Sequence, residues 1–167
     1  MAKIKDLELK SVKEFIGFDG SGVNANLYYK GKKVAFAIDS GNGGDLTIEW
    51  NATDDIQNEI KKLVHQYYTD NPVFLVTDEE NELKEIIEEL LELRRYEQLL
   101  KKGKKEKSSS ALLVLFFHKR AEEYNFKKPP SSYILPFWSE AFQNRIIKQF
   151  TPIEFKVYKE LTDFIIE

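Results

Sequence analysis

Between Ser11 and Trp50 apolar and polar side chains alternate. Val23, Ala25, Leu27 and Tyr29 fall on one side, and Asn24, Asn26 and Tyr28 on the other, the period of two that a half-buried strand requires. Lys30-Gly31-Lys32 predicts a turn into Val34–Ile38, and the loop Gly41-Asn42-Gly43-Gly44-Asp45 leads to a third strand, Leu46–Trp50, with Lys13 to Phe18 supplying a further one. An antiparallel meander is the expected product.

The period then lengthens. Thr53-Asp54-Asp55 caps a helix whose Ile56, Ile60, Leu63, Val64 and Tyr67 share a face, and Asn71-Pro72 ends it. A long helix follows over about residues 78–102, with Thr77 as N-cap and Glu80 at the capping-box position. Its stripe is Leu83, Ile86, Ile87, Leu90, Leu91, Leu93, Tyr96, Leu99 and Leu100. Residues 103–110 read as a flexible, basic, Ser-rich connector, and Ala111–Phe117 as a buried strand expected to join the N-terminal sheet. Asn125–Pro136 reads as a loop, Trp138–Phe150 as a helix, and Pro152 as the start of a last element, helical through Phe164. The expected architecture is one α+β domain over residues 1–167. It is an antiparallel sheet of about 4–5 strands, the meander plus the strand near 111–117, packed on the long helix and two or three shorter ones.

A chain of 167 residues with 42% hydrophobic and 32% charged residues buries a core without help from metals or disulfides. Cysteine is absent, which excludes disulfides, thiol nucleophiles and cysteine-ligated zinc or iron–sulfur sites. The opening Met1-Ala2-Lys3-Ile4-Lys5-Asp6 lacks the apolar stretch of a signal peptide, and no run is long enough to span a membrane, so a cytoplasmic protein is expected. The net charge of −3 names no partner by itself.

Catalytic signatures are weak. Gly20-Ser21-Gly22-Val23-Asn24-Ala25 satisfies G-x-G-x-x-A with Asp39 at the spacing of a ribose-binding acid, but the residues after Gly22 alternate as a strand, whereas the fingerprint must open a helix. His65 is expected as a half-buried helix residue and His118 at a strand end, with no zinc spacing between them. Asp19, Asp39, Asp45 and Glu49 would offer a hard cation a set of carboxylates if they converged at the sheet rim, which would suit a metal-dependent hydrolase; solvated loops are the commoner explanation. Ser108–Ser110 and Ser131–Ser132 sit in connector composition, without a nucleophile elbow. No catalytic residue, metal or cofactor is expected, and the chain reads as non-enzymatic.

Binding remains. The acidic first half of the long helix (Asp78, Glu79, Glu80, Glu82, Glu85, Glu88, Glu89, Glu92) and its basic second half complement the helix macrodipole. The acidic face also offers a nucleic-acid-like surface to a basic groove. The candidate partner- or nucleic-acid-binding residues are Arg94, Arg95, Lys101, Lys102, Lys104, Lys105, Lys107, Lys119, Arg120, Tyr124, Lys127 and Lys128, with Phe126 and Tyr133 as further interleaved aromatics. The apolar stretch Pro129–Trp138 reads either as a partner-docking segment or as a loop folded over the core.

The hairpin Asn24-Ala25-Asn26-Leu27-Tyr28-Tyr29-Lys30-Gly31-Lys32-Lys33-Val34-Ala35, followed by Gly41-Asn42-Gly43-Gly44, resembles a recurrent opening of uncharacterised bacterial and phage-borne proteins. Those read A-x-L-Y, G-K-K-V and then G-x-G-G. The match covers Ser21 to Trp50, and Asn42 stands where a His or Arg is expected. The resemblance implies a mobile-element origin and conveys no catalytic residues. By analogy with small phage proteins lacking active sites, it implies an anti-defence, anti-CRISPR-like inhibitor of a host protein or ribonucleoprotein, monomeric or homodimeric. Direct RNA binding through the lysine-rich segments is the alternative.

Overall fold

The computed structural model describes residues 1–71, 79–118, 131–135, 139–150 and 152–167. It is α+β. In chain order the strands are β1 (Lys3–Ile4), β2 (Leu7–Ile16), β3 (Ser21–Tyr29), β4 (Lys32–Asp39), β5 (Thr47–Trp50), β6 (Leu112–His118), β7 (Ser131–Leu135), β8 (Pro152–Tyr158) and β9 (Ile165–Ile166). The helices are α1 (Asp54–Asp70), α2 (Glu79–Glu106) and α3 (Glu140–Phe150), with a 3-10 turn at Leu161–Phe164. Two compact units divide the chain, Met1–Leu93 with Ile165–Glu167, and Arg94–Phe164. The division falls inside α2.

The first unit holds a six-stranded sheet in the order β5-β4-β3-β2-β1-β9. Every neighbouring pair is antiparallel except β1 with β9. The β3–β4 turn is made by Lys30 (φ 48) and Gly31 (φ 77), the two left-handed positions of the tight hairpin turn whose twist matches its strands. A register shift between Lys10 and Lys13 includes Ser11 at φ 52, a bulge that bends β2. The side expected to be apolar is buried: Val23, Ala25, Leu27 and Tyr29 with Leu7, Leu9, Ala35 and Ala37. Helix α1 lies against that side, because the Tyr29 hydroxyl and Lys30 Nζ both donate to Glu59 Oε1 at 2.8 Å. The Lys30 hydrogen bond holds the Glu59 carboxyl below its ordinary range.

The N-cap of α1 is Thr53, as expected, but its side chain makes no capping bond; the first turn is closed instead by Gln57 N–H to Thr53 O at 3.0 Å and Gln57 Nε2 to Ala52 O at 2.9 Å. Asn71 closes the other end, its backbone N–H and Nδ2 both donating to Tyr67 O. The expected capping box of α2, at Thr77 and Glu80, lies outside what is described. Within the first unit the α2 stripe is buried at Leu83, Ile86, Ile87, Leu90, Leu91 and Leu93.

The second unit corrects the expected sheet. The strand after α2, β6, does not extend the meander; it is the centre of a separate antiparallel sheet in the order β7-β6-β8. Leu113 and Val114 are both fully buried, so β6 is covered on both faces. Residues 131–135, expected in a loop, form β7, and the segment from Pro152, expected to be helical, forms β8 and then the 3-10 turn. Tyr158 stacks on Phe164 at 4.5 Å between ring centroids. The expected connector also starts later, since α2 continues through Glu106 and Gly103 is a buried helical residue whose missing Cβ would stand 2.5 Å from Ile134 Cγ2. With no side chain there, Ile134 of β7 fills the space.

Candidate functional site

Many of the charges that make α2 look like a binding element hold the fold together. Glu82 is buried, and its Oε1 and Oε2 lie 3.0 and 3.2 Å from His65 Nδ1. His65 itself is exposed rather than half-buried. Glu89 accepts from the hydroxyls of Tyr67 at 3.1 Å and Tyr68 at 3.2 Å. Burial, then the Glu89 charge, raises the ionisation of both phenols above the usual tyrosine range. In the first unit these carboxylates tie α2 to α1.

A second set of carboxylates lines a groove in the same unit. Asp39 at the end of β4 and Asp45 in the glycine loop meet Glu85 and Glu88 of α2 around an open groove of about 360 Å³, whose walls also carry Lys84 and Asn81. Lys84 Nζ lies 3.6 Å from Asp45 Oδ2. Four carboxylates thus face one ammonium. Among the described residues no three His, Asp or Glu side chains are grouped so as to hold a metal ion, so the rim carboxylates Asp19, Asp39, Asp45 and Glu49 do not converge into the cation set that a metal-dependent hydrolase would need. Nor does Gly20–Ala25 open a helix: Ser21 begins β3, and the dinucleotide reading has no helix N-terminus to rest on.

The basic candidates divide in three. Some have internal partners: Lys101 Nζ pairs with the buried Glu97 Oε1 at 2.9 Å, Lys104 Nζ reaches Ser109 O at 3.2 Å and Glu160 Oε2 at 3.5 Å, and Lys107 Nζ donates to Ile134 O at 3.3 Å. Lys102 and Lys105 point outward from the end of α2; Arg95 is exposed and Arg94 half-buried. Lys119, Arg120, Tyr124, Phe126, Lys127 and Lys128 lie outside the described residues, as do Pro129, Pro130 and Pro136–Trp138 of the apolar stretch. Tyr133 is on β7, 38% exposed and edge-on to Phe142 at 6.0 Å.

One feature of the first unit was not foreseen. The end of β2 and the turn that follows it present Phe15 at 39% exposure and Ile16 and Phe18 at 92% each. The alternation read through Lys13–Phe18 implied a strand with one covered side, but β2 ends at Ile16 and Phe18 stands in the turn. The available signal was the order Phe-Ile-Gly-Phe-Asp-Gly, which places bulky apolar groups among turn residues.

Among the described residues no helix is long and apolar enough to cross a membrane. Comparison of the chain with protein-family models, with curated proteins and with solved structures finds no match.

Proposed function

We propose that this chain is a binding protein of phage or other mobile-element origin that inhibits a nucleic-acid-dependent host defence complex, in the manner of an anti-CRISPR protein. The partition of charge between the two units carries the reading. Residues 1–93 with 165–167 hold 10 Lys and Arg against 20 Asp and Glu, and residues 94–164 hold 15 against 8. A net charge of −3 therefore conceals an excess of 10 negative charges in one unit and 7 positive in the other. A protein that grips nucleic acid offers a basic groove beside an anionic backbone, and a chain with one unit of each sign complements both. The hairpin resemblance supports the mobile-element origin. The decisive experiment is affinity capture of partners by the tagged chain from host lysate, with and without ribonuclease. Recovery of a defence nuclease or other nucleoprotein whose activity the pure chain blocks is expected. Recovery of nothing specific, or of a complex whose activity is untouched, rejects the reading.

Direct RNA binding by the second unit is the alternative, favoured by outward-facing Lys102 and Lys105. It requires binding to pure RNA that weakens steeply with salt and is lost in Lys102→Gln/Lys105→Gln. Binding that survives both changes excludes it.

A further inference from the structure

Ile16 and Phe18 are held out into solvent by a backbone with little freedom to retract them. Gly17 N–H donates to Gly20 O at 2.7 Å, Phe18 N–H to Asn42 Oδ1 at 3.1 Å, and Asp19 N–H to Gly41 O at 2.8 Å. Gly41 is fixed in turn by its own N–H, which donates to Asp39 Oδ1 at 2.8 Å. The two loops touch so closely that a Cβ on Gly17 would stand 2.5 Å from Gly41 O. Apolar groups on a backbone already ordered lose little further entropy when a partner covers them, and apolar anchors entering a pocket dominate binding energy in protein interfaces.

The surrounding charge fixes what that partner looks like. Asp19 is in the turn itself, and Asp39, which anchors Gly41, also lines the groove with Asp45, Glu85 and Glu88. Lys13 and Glu14 on β2 offset each other, and Lys84 is the one cation among the charged residues lining the groove. We propose that the Ile16–Phe18 tip is the docking anchor for a partner protein whose surface carries an apolar pocket rimmed by Lys and Arg. The pocket takes Ile16 and Phe18, and the basic rim faces Asp19 and the groove carboxylates. An anionic membrane is disfavoured by the same carboxylates.

The proposal adds to the reading of the chain as a binding protein and is separable from it. The test is selection from a random peptide library displayed against the immobilised full chain, repeated against Ile16→Ser/Phe18→Ser. Because both side chains are exposed, the variant keeps its melting temperature within about 2 °C. Selected peptides are expected to combine bulky apolar residues with Lys or Arg, and to bind the variant at least ~10-fold more weakly. Acidic or uncharged selected peptides, equal binding to the variant, or an empty selection overturns it. So does flotation of the chain with neutral phosphatidylcholine vesicles that the variant abolishes, which would assign the tip to lipid. A host nucleoprotein captured equally by chain and variant would leave the proposed function standing and remove the tip from it.

Discussion

Tyr67 and Tyr68 set a limit on stability at high pH. A tyrosine in an unfolded chain ionises near pH 10, whereas burial and the neighbouring Glu89 make both phenols hold their protons to higher pH in the folded protein. Above about pH 10 the unfolded state binds fewer protons than the native one, so stability falls as pH rises, while the full contribution is present below that value. Thermal melts between about pH 9 and about pH 11 should show a decline that is shallower in Tyr67→Phe/Tyr68→Phe. An unchanged slope would mean that other groups govern alkaline unfolding. Two glycines give a second contrast at this scale. Gly31 (φ 77) and Gly41 (φ 67) share the left-handed region, but a Cβ on Gly31 meets nothing within 4 Å, whereas one on Gly41 would stand 2.9 Å from Gly22 N. Gly31→Ala should cost about 1 kcal/mol, from conformation alone. Gly41→Ala adds a backbone collision and should cost about 2–4 kcal/mol. Urea denaturation of the two variants measures the difference, and equal losses would deny the close approach of the loops.

At the level of elements, Gly103 shows packing overriding helix propensity. In the interior of α2 a glycine is about 1 kcal/mol worse than alanine, yet its missing side chain is what admits Ile134 of β7. Gly103→Ala alone should destabilise by about 1–3 kcal/mol through overpacking. In an Ile134→Ala background the same change should stabilise by about 1 kcal/mol, and additive effects in the cycle would refute the contact. The sequence hid this for a physical reason: glycine followed by lysines and serines looks like a helix stop, and only a strand from elsewhere in the chain makes it a helical residue. β6 is similar. Leu112–Phe117 is apolar throughout, so no polar side reveals which sheet receives it, and because both faces are covered it belongs at the centre of one. β7 and β8 were masked by Ser131-Ser132 and by Pro152, since proline can open an edge strand as well as a helix. By contrast, β3 and the α2 stripe were legible because one side of each is buried and the other is not, and β5 because its positions alternate between exposed and half-buried, which leaves a clean period. Of the acidic groove, Asp39 and Asp45 stood out along the chain as rim carboxylates and Glu85 and Glu88 as part of the acidic half of the long helix, but not as one set. Glu85 and Glu88 joined them through tertiary folding, while neighbouring Glu82 and Glu89 were taken up by His65 and the two tyrosines.

For the whole molecule, the average charge is a poor guide to behaviour. A chain of net charge −3 with evenly mixed charges would be held weakly by an anion exchanger and ignored by a polyanion. A chain with 20 acids against 10 bases in one unit and 15 bases against 8 acids in the other should be retained at neutral pH and low salt by both an anion exchanger and heparin. The two retentions should respond to different residues. Lys102→Gln/Lys105→Gln should lower the salt needed for elution from heparin and leave the anion exchanger unaffected or slightly favoured, because the bound unit there is the acidic one. Asp45→Asn/Glu85→Gln/Glu88→Gln should do the reverse, reducing retention on the anion exchanger alone. If heparin fails to retain the chain, or if either set of substitutions shifts both elutions in proportion to net charge, the units do not act as independent poles, and the complementarity to a nucleoprotein that the proposed function relies on is lost.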